Sequence, residues 1–248
     1  MQQQISFQAW PFTRAVKIIL IVNAAIWLVT ILLSKIANGN FLFVNLALTP
    51  RAVLFDFHIW QPFTYMWLHD IRGFSHILFN CLFLWMFGGN LEESWGTRKF
   101  VIFYLICGIG SGLVVLVTGL ILDPNIMVVG ASGALYGLIA AWAISNPNRL
   151  IYLFGVFPIK AKHFALLPIG YAFLDFLVEG STVSHSAHLG GLVIGALYVS
   201  GNLHPGILKD RLLYWYYKRK LKVIEGGKSK TPGEKSKKKR PPGGGYWN

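Results

Sequence analysis

Three stretches of this chain are apolar over the thickness of a lipid bilayer, and nothing else in the sequence limits its fold as much. A hydrocarbon core about 30 Å thick is crossed by about 20 helical residues. Residues 15–33, 74–91 and 100–122 meet that test. Arg14 and Lys17 beside the first run would also suit a signal peptide, but no small-x-small cleavage site follows, so it is read as a retained helix. Residues 132–144 form a shorter fourth segment, stopped by Asn146-Pro147-Asn148. A fifth covers 164–178 with a kink at Pro168, and a sixth covers 187–199. The fourth and sixth are too short to face lipid along their length, and their Gly and Ala content suits the centre of a bundle. The expected fold class is an all-α membrane protein with six transmembrane helices.

Charge supports this reading. Only 13% of residues are charged and 54% are hydrophobic, against roughly a quarter charged in soluble domains, which excludes an ordinary soluble enzyme. A net charge of +13 would suit a nucleic-acid binder if it were spread evenly, but 13 of the 23 Lys and Arg residues lie within 209–240. No nucleic-acid partner is expected. Six crossings put both termini on one side, which then holds 20 Lys and Arg residues against Lys35, Arg51 and Arg72 opposite. By the positive-inside rule that side is cytoplasmic. No internal repeat of the kind found in many transporters is evident.

The expected layout is a cytoplasmic N-terminus (1–14), a membrane body (15–200), an interfacial helix (201–224) mixing Leu, Tyr and Trp with Lys and Arg, and a disordered basic tail (225–248). Attraction to anionic lipid is the expected role of the tail. The connection 34–73 carries Phe55, Phe57, Trp60, Phe63 and Trp67. It is too apolar for open water and is expected to lie partly in the lipid interface. Cys81 and Cys107 lack Cys-x-x-Cys spacing and a flanking His pair, so neither a metal site nor a disulfide framework is indicated, and no cofactor is expected. No sequence feature sets the oligomeric state.

Polar side chains at membrane depth are costly, so each is a candidate site residue. His76 and Asn80 lie four apart on one face of the second helix. Ser132 opens the fourth helix in Gly130-Ala131-Ser132-Gly133-Ala134, and His188 opens the sixth in Ser186-Ala187-His188-Leu189-Gly190-Gly191. Singly, a Ser among small residues is usually packing and a lone buried His is usually structural. The combination carries more weight. The second, fourth and sixth helices all run inward from the outer side, so His76, Ser132 and His188 share one depth. His188, Gly191 and Gly195 share one face of the sixth helix, while Gly133 and Gly137 give the fourth a small-residue stripe. Such faces let backbones approach closely, bringing Ser132 and His188 within reach for general-base activation of the hydroxyl. Tyr136, one turn deeper, would form an apolar floor beneath the imidazole. The Ser132 amide, the Asn80 side chain and the His76 ring would supply oxyanion donors. No carboxylate is well placed to orient His188, since Asp175 lies far along the fifth helix and Asp123 and Glu179 fall in outer loops. That favours a Ser-His dyad over a triad.

These residues, with Gly88-Gly89-x-x-Glu92, Trp95-Gly96-x-x-Lys99-Phe100 and the run from Trp60 to His69, strongly resemble the rhomboid family of intramembrane serine proteases over about 15–200. The motifs are specific as an ordered set: His-x-x-x-Asn, Gly-x-Ser-Gly, then Ala-His-x-x-Gly-x-x-x-Gly. The resemblance implies a rhomboid-like six-helix bundle with Ser132 as nucleophile and His188 as base. His76, Asn80 and the Ser132 amide would form the oxyanion hole, supported by Tyr136, Gly130, Gly133, Gly191 and Gly195. It implies transmembrane protein substrates cut near the outer end of a span, after a small residue in a helix-weakening stretch. With the short loops, it also implies a bacterial inner membrane. Two departures stand out. Trp60-Gln61 replaces the frequent Trp-Arg pair, and His69 and His76 are seven apart, wider than the family spacing, so the turn between them is longer. A rhomboid-like pseudoenzyme that binds and routes clients is the alternative, and a small transporter a third. Retention of both Ser132 and His188 argues against the second. The shallow placement of the polar set argues against the third.

Overall fold

The structure, a computed structural model, describes residues 10–36, 41–153, 157–167, 170, 182–201, 213–214 and 216–217. The chain divides into two units, Met1–His204 and Pro205–Asn248. In the second unit the described residues are helical, with Tyr216 and Tyr217 edge to face. The expected basic tail and most of the expected interfacial helix lie outside the described residues.

In the first unit, α1 (Arg14–Ile36) is followed by three short helices, α2 (Phe41–Leu46), α3 (Pro50–Phe55) and α4 (Gln61–Thr64), and a 3-10 turn at Tyr65–Trp67. A long helix follows as α5 (Phe74–Phe83), a π-helical segment at Leu84–Gly88, and α6 (Gly89–Trp95). Next come α7 (Thr97–Leu122), α8 (Ser132–Ser145), α9 (Ala161–Phe164) and α10 (Thr182–Val199). Three helical spans among the described residues are long and apolar enough to cross a membrane: Arg14–Lys35, Phe74–Trp95 and Thr97–Leu122. Ser132–Ser145 and His185–Val199 are shorter apolar helices. Of the fifth expected span, 164–178, most lies outside the described residues.

The all-helical expectation needs one amendment. Leu150–Leu153 (β1) and Phe157–Lys160 (β2) form an antiparallel hairpin, with Leu150 opposite Lys160 and Leu153 opposite Phe157. Pro158 is tolerated because a two-stranded ribbon has an open edge on each strand, where its missing N–H removes no central ladder bond.

The centre of the unit is formed by α7, α8 and α10, which contact one another most extensively. Apolar side chains outside this trio remain widely exposed, as on α1, where Ile21, Leu28 and Leu32 are uncovered. In water such a surface would be an aggregation liability, whereas in lipid it is solvated. The connection before α5 shows the same character, for Phe55, Phe57, Ile59, Trp60 and Phe63 are all exposed.

The pair Gly88-Gly89 and Glu92 have a structural role at the start of α1. A Cβ on Gly89 would lie 2.0 Å from the Pro11 carbonyl oxygen, so only glycine admits the N-terminal segment there. Glu92, 4% exposed, accepts from the Ala15 and Val16 amides at 2.9 and 3.0 Å, from the Thr97 hydroxyl at 2.7 Å, and from the Thr13 hydroxyl. The carboxylate thus satisfies free amides at the positive end of the α1 dipole. Glu92→Ala leaves these donors buried without an acceptor and is expected to cost about 3 kcal/mol. Thermal unfolding in detergent micelles reads this directly, and an unchanged melting temperature would show that the carboxylate anchors nothing.

Candidate active site

The approach to α8 is pinned by main-chain bonds from the connection between α1 and α5. Leu48 and Val128 exchange amide bonds at 2.9 Å, Arg51 N–H donates to the Pro124 carbonyl at 2.9 Å, and Gly130 N–H donates to the Tyr65 carbonyl at 3.0 Å. Gly130 has φ +117°, a conformation open to glycine and rarely to other residues. A Cβ there would also lie 2.8 Å from His76 Nε2, so the missing side chain lets the imidazole reach the loop. Ser132 is the first residue of α8, where the amides of the first turn have no partner within the helix.

Glycines bring the backbone of α10 into contact with α8. A Cβ on Gly191 would sit 1.8 Å from the Gly133 carbonyl oxygen, and one on Gly195 would sit 2.5 Å from that of Gly137. Gly133 and Gly137 in turn admit Ser111 and Cys107 of α7. Across this contact His188 Nε2 lies 2.8 Å from Ser132 Oγ, a full hydrogen bond. The imidazole stacks on Tyr136 with ring centroids 4.4 Å apart and planes within 2° of parallel.

The sixth helix starts earlier than its apolar run suggests. It is described from Thr182 onward, so His188 lies more than a turn inside it and does not open the helix. Polar Thr182 and Ser184 supply that extra turn. It carries His185, buried and edge-on to His188 at 6.4 Å, and Ser186, whose hydroxyl meets Thr118 at 2.7 Å. Neither was a candidate from the sequence, although the three-residue spacing of His185 and His188 put them on one helix face.

A cavity of about 720 Å³ opens onto Ser132 and His188. Phe43, Val44, Met127 and Val128 give it apolar walls, while Asp70, Arg72 and His76 contribute polar groups. His76 and Asn80 are both on α5 but are placed differently. His76 lines the cavity. Asn80 is buried one turn further along and donates its amide to the His76 carbonyl at 2.8 Å. Outside the spans, burial and the neighbouring His76 ring push His69 down to about 4, so it is neutral at pH 7. Hydrogen bonds from Arg72 hold Asp70 below the usual carboxylate range.

Gln61, the residue after Trp60, is a buried anchor. It is fully buried; its Oε1 accepts from Thr49 N–H at 3.0 Å, and its Nε2 donates to the Val44 carbonyl and to His58 Nδ1, each at 3.2 Å. Trp60 and Thr64 beside it donate to the Asn45 and Leu46 carbonyls, both at 2.7 Å. An amide with both donor and acceptor thus ties α4 to the end of α2. Gln61→Leu keeps the volume and strands these groups, and is expected to cost about 2 kcal/mol. Differential scanning calorimetry or a thiol-reactive melting assay would measure the shift, and no loss would mean that the loop is held elsewhere.

The rhomboid domain model matches residues 56–203, more than half of the chain. Rhomboid protease GlpG from Yersinia pestis (strain Pestoides F) is 28% identical over 198 residues, a match covering 79% of this chain and 64% of that protein. RHOMBOID-like protein 1 of Arabidopsis thaliana is 35% identical over 154 residues, covering 61% of this chain and 36% of that one. RHOMBOID-like protein 6, mitochondrial, from the same plant is 35% identical over 139 residues, covering 55% and 41%. The chain therefore spans slightly less than two thirds of the length of GlpG and well under half of that of the two plant proteins. The apolar helices and the match over 56–203, which takes in α4 through α10 and hence Ser132 and His188, make this an integral membrane protein that belongs to the rhomboid family.

Proposed function

We propose that the chain is an intramembrane serine endopeptidase acting through a dyad of Ser132 and His188. The observation carrying this reading is the 2.8 Å contact between Ser132 Oγ and His188 Nε2 in the lining of a cavity. His188 takes the hydroxyl proton as Oγ attacks the scissile carbonyl, forming the C–O bond and a tetrahedral oxyanion. The Ser132 amide and His76 Nε2–H donate to that oxygen. As the C–N bond breaks, the imidazolium returns its proton to the leaving amine, and a water activated by the same ring then hydrolyses the acyl-enzyme. Asn80 joins the oxyanion hole through the amide hydrogen not used on the His76 carbonyl. Gly191 and Gly195 against Gly133 and Gly137 keep the dyad close, and Tyr136 supports the imidazole face.

The substrates are membrane proteins, cut near the outer end of a span after a small residue. A helix hides its amides in internal hydrogen bonds, so the cleft must receive a locally unwound strand. Both termini face the cytoplasm, the host membrane is a bacterial inner membrane, and the basic tail associates with anionic lipid.

The test is cleavage of single-span substrates by the full chain in proteoliposomes, with product masses locating the cut. A cut near one end of the span after a small residue supports the proposal. Substrates retained but never cut would replace it with the client-binding reading.

A further inference from the structure

The turn between the 3-10 segment and α5 sends one of its amides to the site. Asp70 N–H donates to His76 Nδ1 at 3.2 Å. A ring nitrogen that accepts cannot carry the proton, so a neutral imidazole held this way bears it on Nε2. That nitrogen is the one facing Gly130, beside Ser132.

Asp70 is itself fixed from two sides. Its carbonyl accepts from the Trp27 indole N–H of α1 at 3.0 Å. Its carboxylate accepts from Arg72 N–H at 2.9 Å and from the Arg72 guanidinium at 2.9 to 3.2 Å. The amide bond closes an Asx turn, which bends the chain so that the Asp70 N–H points back towards α5. The ion pair adds little strength, because the Arg72 side chain is 88% exposed. Trp27 also packs on Phe74, the first residue of α5, with ring centroids 5.8 Å apart. Buried His69 lies 5.3 Å from His76 on the same side as the turn.

We infer that Trp27 and Asp70 are positioning residues that set the tautomer of His76, keeping its proton on Nε2 towards the cleft. The inference rests on the proposed oxyanion role of His76 for its effect on turnover, while the tautomer itself is independent of that role. It ties α1, which contributes no residue to the cavity lining, to the chemistry through one indole hydrogen bond.

The test combines nitrogen-15 histidine spectra of the full chain in micelles with kinetics of Trp27→Phe, Asp70→Ala and Asp70→Asn. The His76 signals are identified by their loss in His76→Gln. In the wild type, Nδ1 should give a bare, pyridine-type resonance and Nε2 a protonated, pyrrole-type one. Trp27→Phe keeps a ring against Phe74 and removes only the N–H. It and Asp70→Ala should shift population towards the other tautomer and lower kcat roughly 10-fold, less than the cost of deleting an oxyanion donor, with KM and melting temperature nearly unchanged. Asp70→Asn, whose Oδ1 still accepts from Arg72 N–H, should recover most of that loss. A wild-type proton on Nδ1 would overturn the inference. So would spectra and kcat that ignore both Trp27→Phe and Asp70→Ala. If the wild type cleaves nothing, the protease reading fails, and the spectra alone still decide the tautomer.

Discussion

Ser132→Ala is expected to abolish proteolysis in proteoliposomes, by at least about 10⁴-fold in kcat/KM, because a serine protease without its nucleophile retains only residual catalysis. The variant should fold normally, since among the described residues the side-chain bond it loses is the one to His188. His188→Asn should fall almost as far. The hydroxyl then has no base, and at neutral pH an unassisted serine is a poor nucleophile. The double variant should be no worse than either single one, because the two groups act as one unit. Turnover within tenfold of wild type in Ser132→Ala would remove the mechanism.

Gly191→Val is expected to remove both activity and a large part of the stability, although Gly191 carries no side chain for chemistry. Its Cβ would lie 1.8 Å from the Gly133 carbonyl oxygen and 2.8 Å from Ser111 Oγ. The first obstacle is backbone, so no side-chain rotation relieves it, and α10 must move off α8. Overpacking of this kind costs about 3 kcal/mol or more. A separation of even 1 Å would also lengthen the bond between Ser132 and His188, and misplacement on that scale costs about 100-fold in rate. Leu189→Val, at an exposed position two residues earlier, is the control and should change neither property. Melting and turnover measured together decide the matter. Unchanged values for Gly191→Val would mean that helix contact does not hold the dyad.

Much of the site was legible because membrane depth gives polar residues unusual weight. Ser132, His76 and His188 stood out against apolar runs, and the glycine spacing on two helices indicated a close approach. The bounds of α7 and α8 followed from apolar length and from the stop at Asn146-Pro147. What escaped the reading is carried mainly by backbone. The π-helical segment at Leu84–Gly88 has no pattern of its own, and the paired strands Leu150–Leu153 and Phe157–Lys160 are too short, at four residues each, to stand out in the sequence. Gln61 registered as a departure, while its side-chain partners are backbone groups apart from His58. The Asp70 amide acts through a main-chain N–H that any residue but proline would offer. Helix spacing placed Asn80 on the face of His76, but not the turn of its amide towards the carbonyl four residues back.

The central claim is that the Ser132 hydroxyl is activated by the His188 imidazole. Its most direct measurement is reaction of the full chain with a fluorophosphonate, followed by peptide mass mapping of the adduct. The account predicts one phosphonylated residue, Ser132, with the adduct lost in Ser132→Ala and strongly slowed in His188→Asn. An adduct on another residue, or equal labelling of wild type and Ser132→Ala, would contradict it.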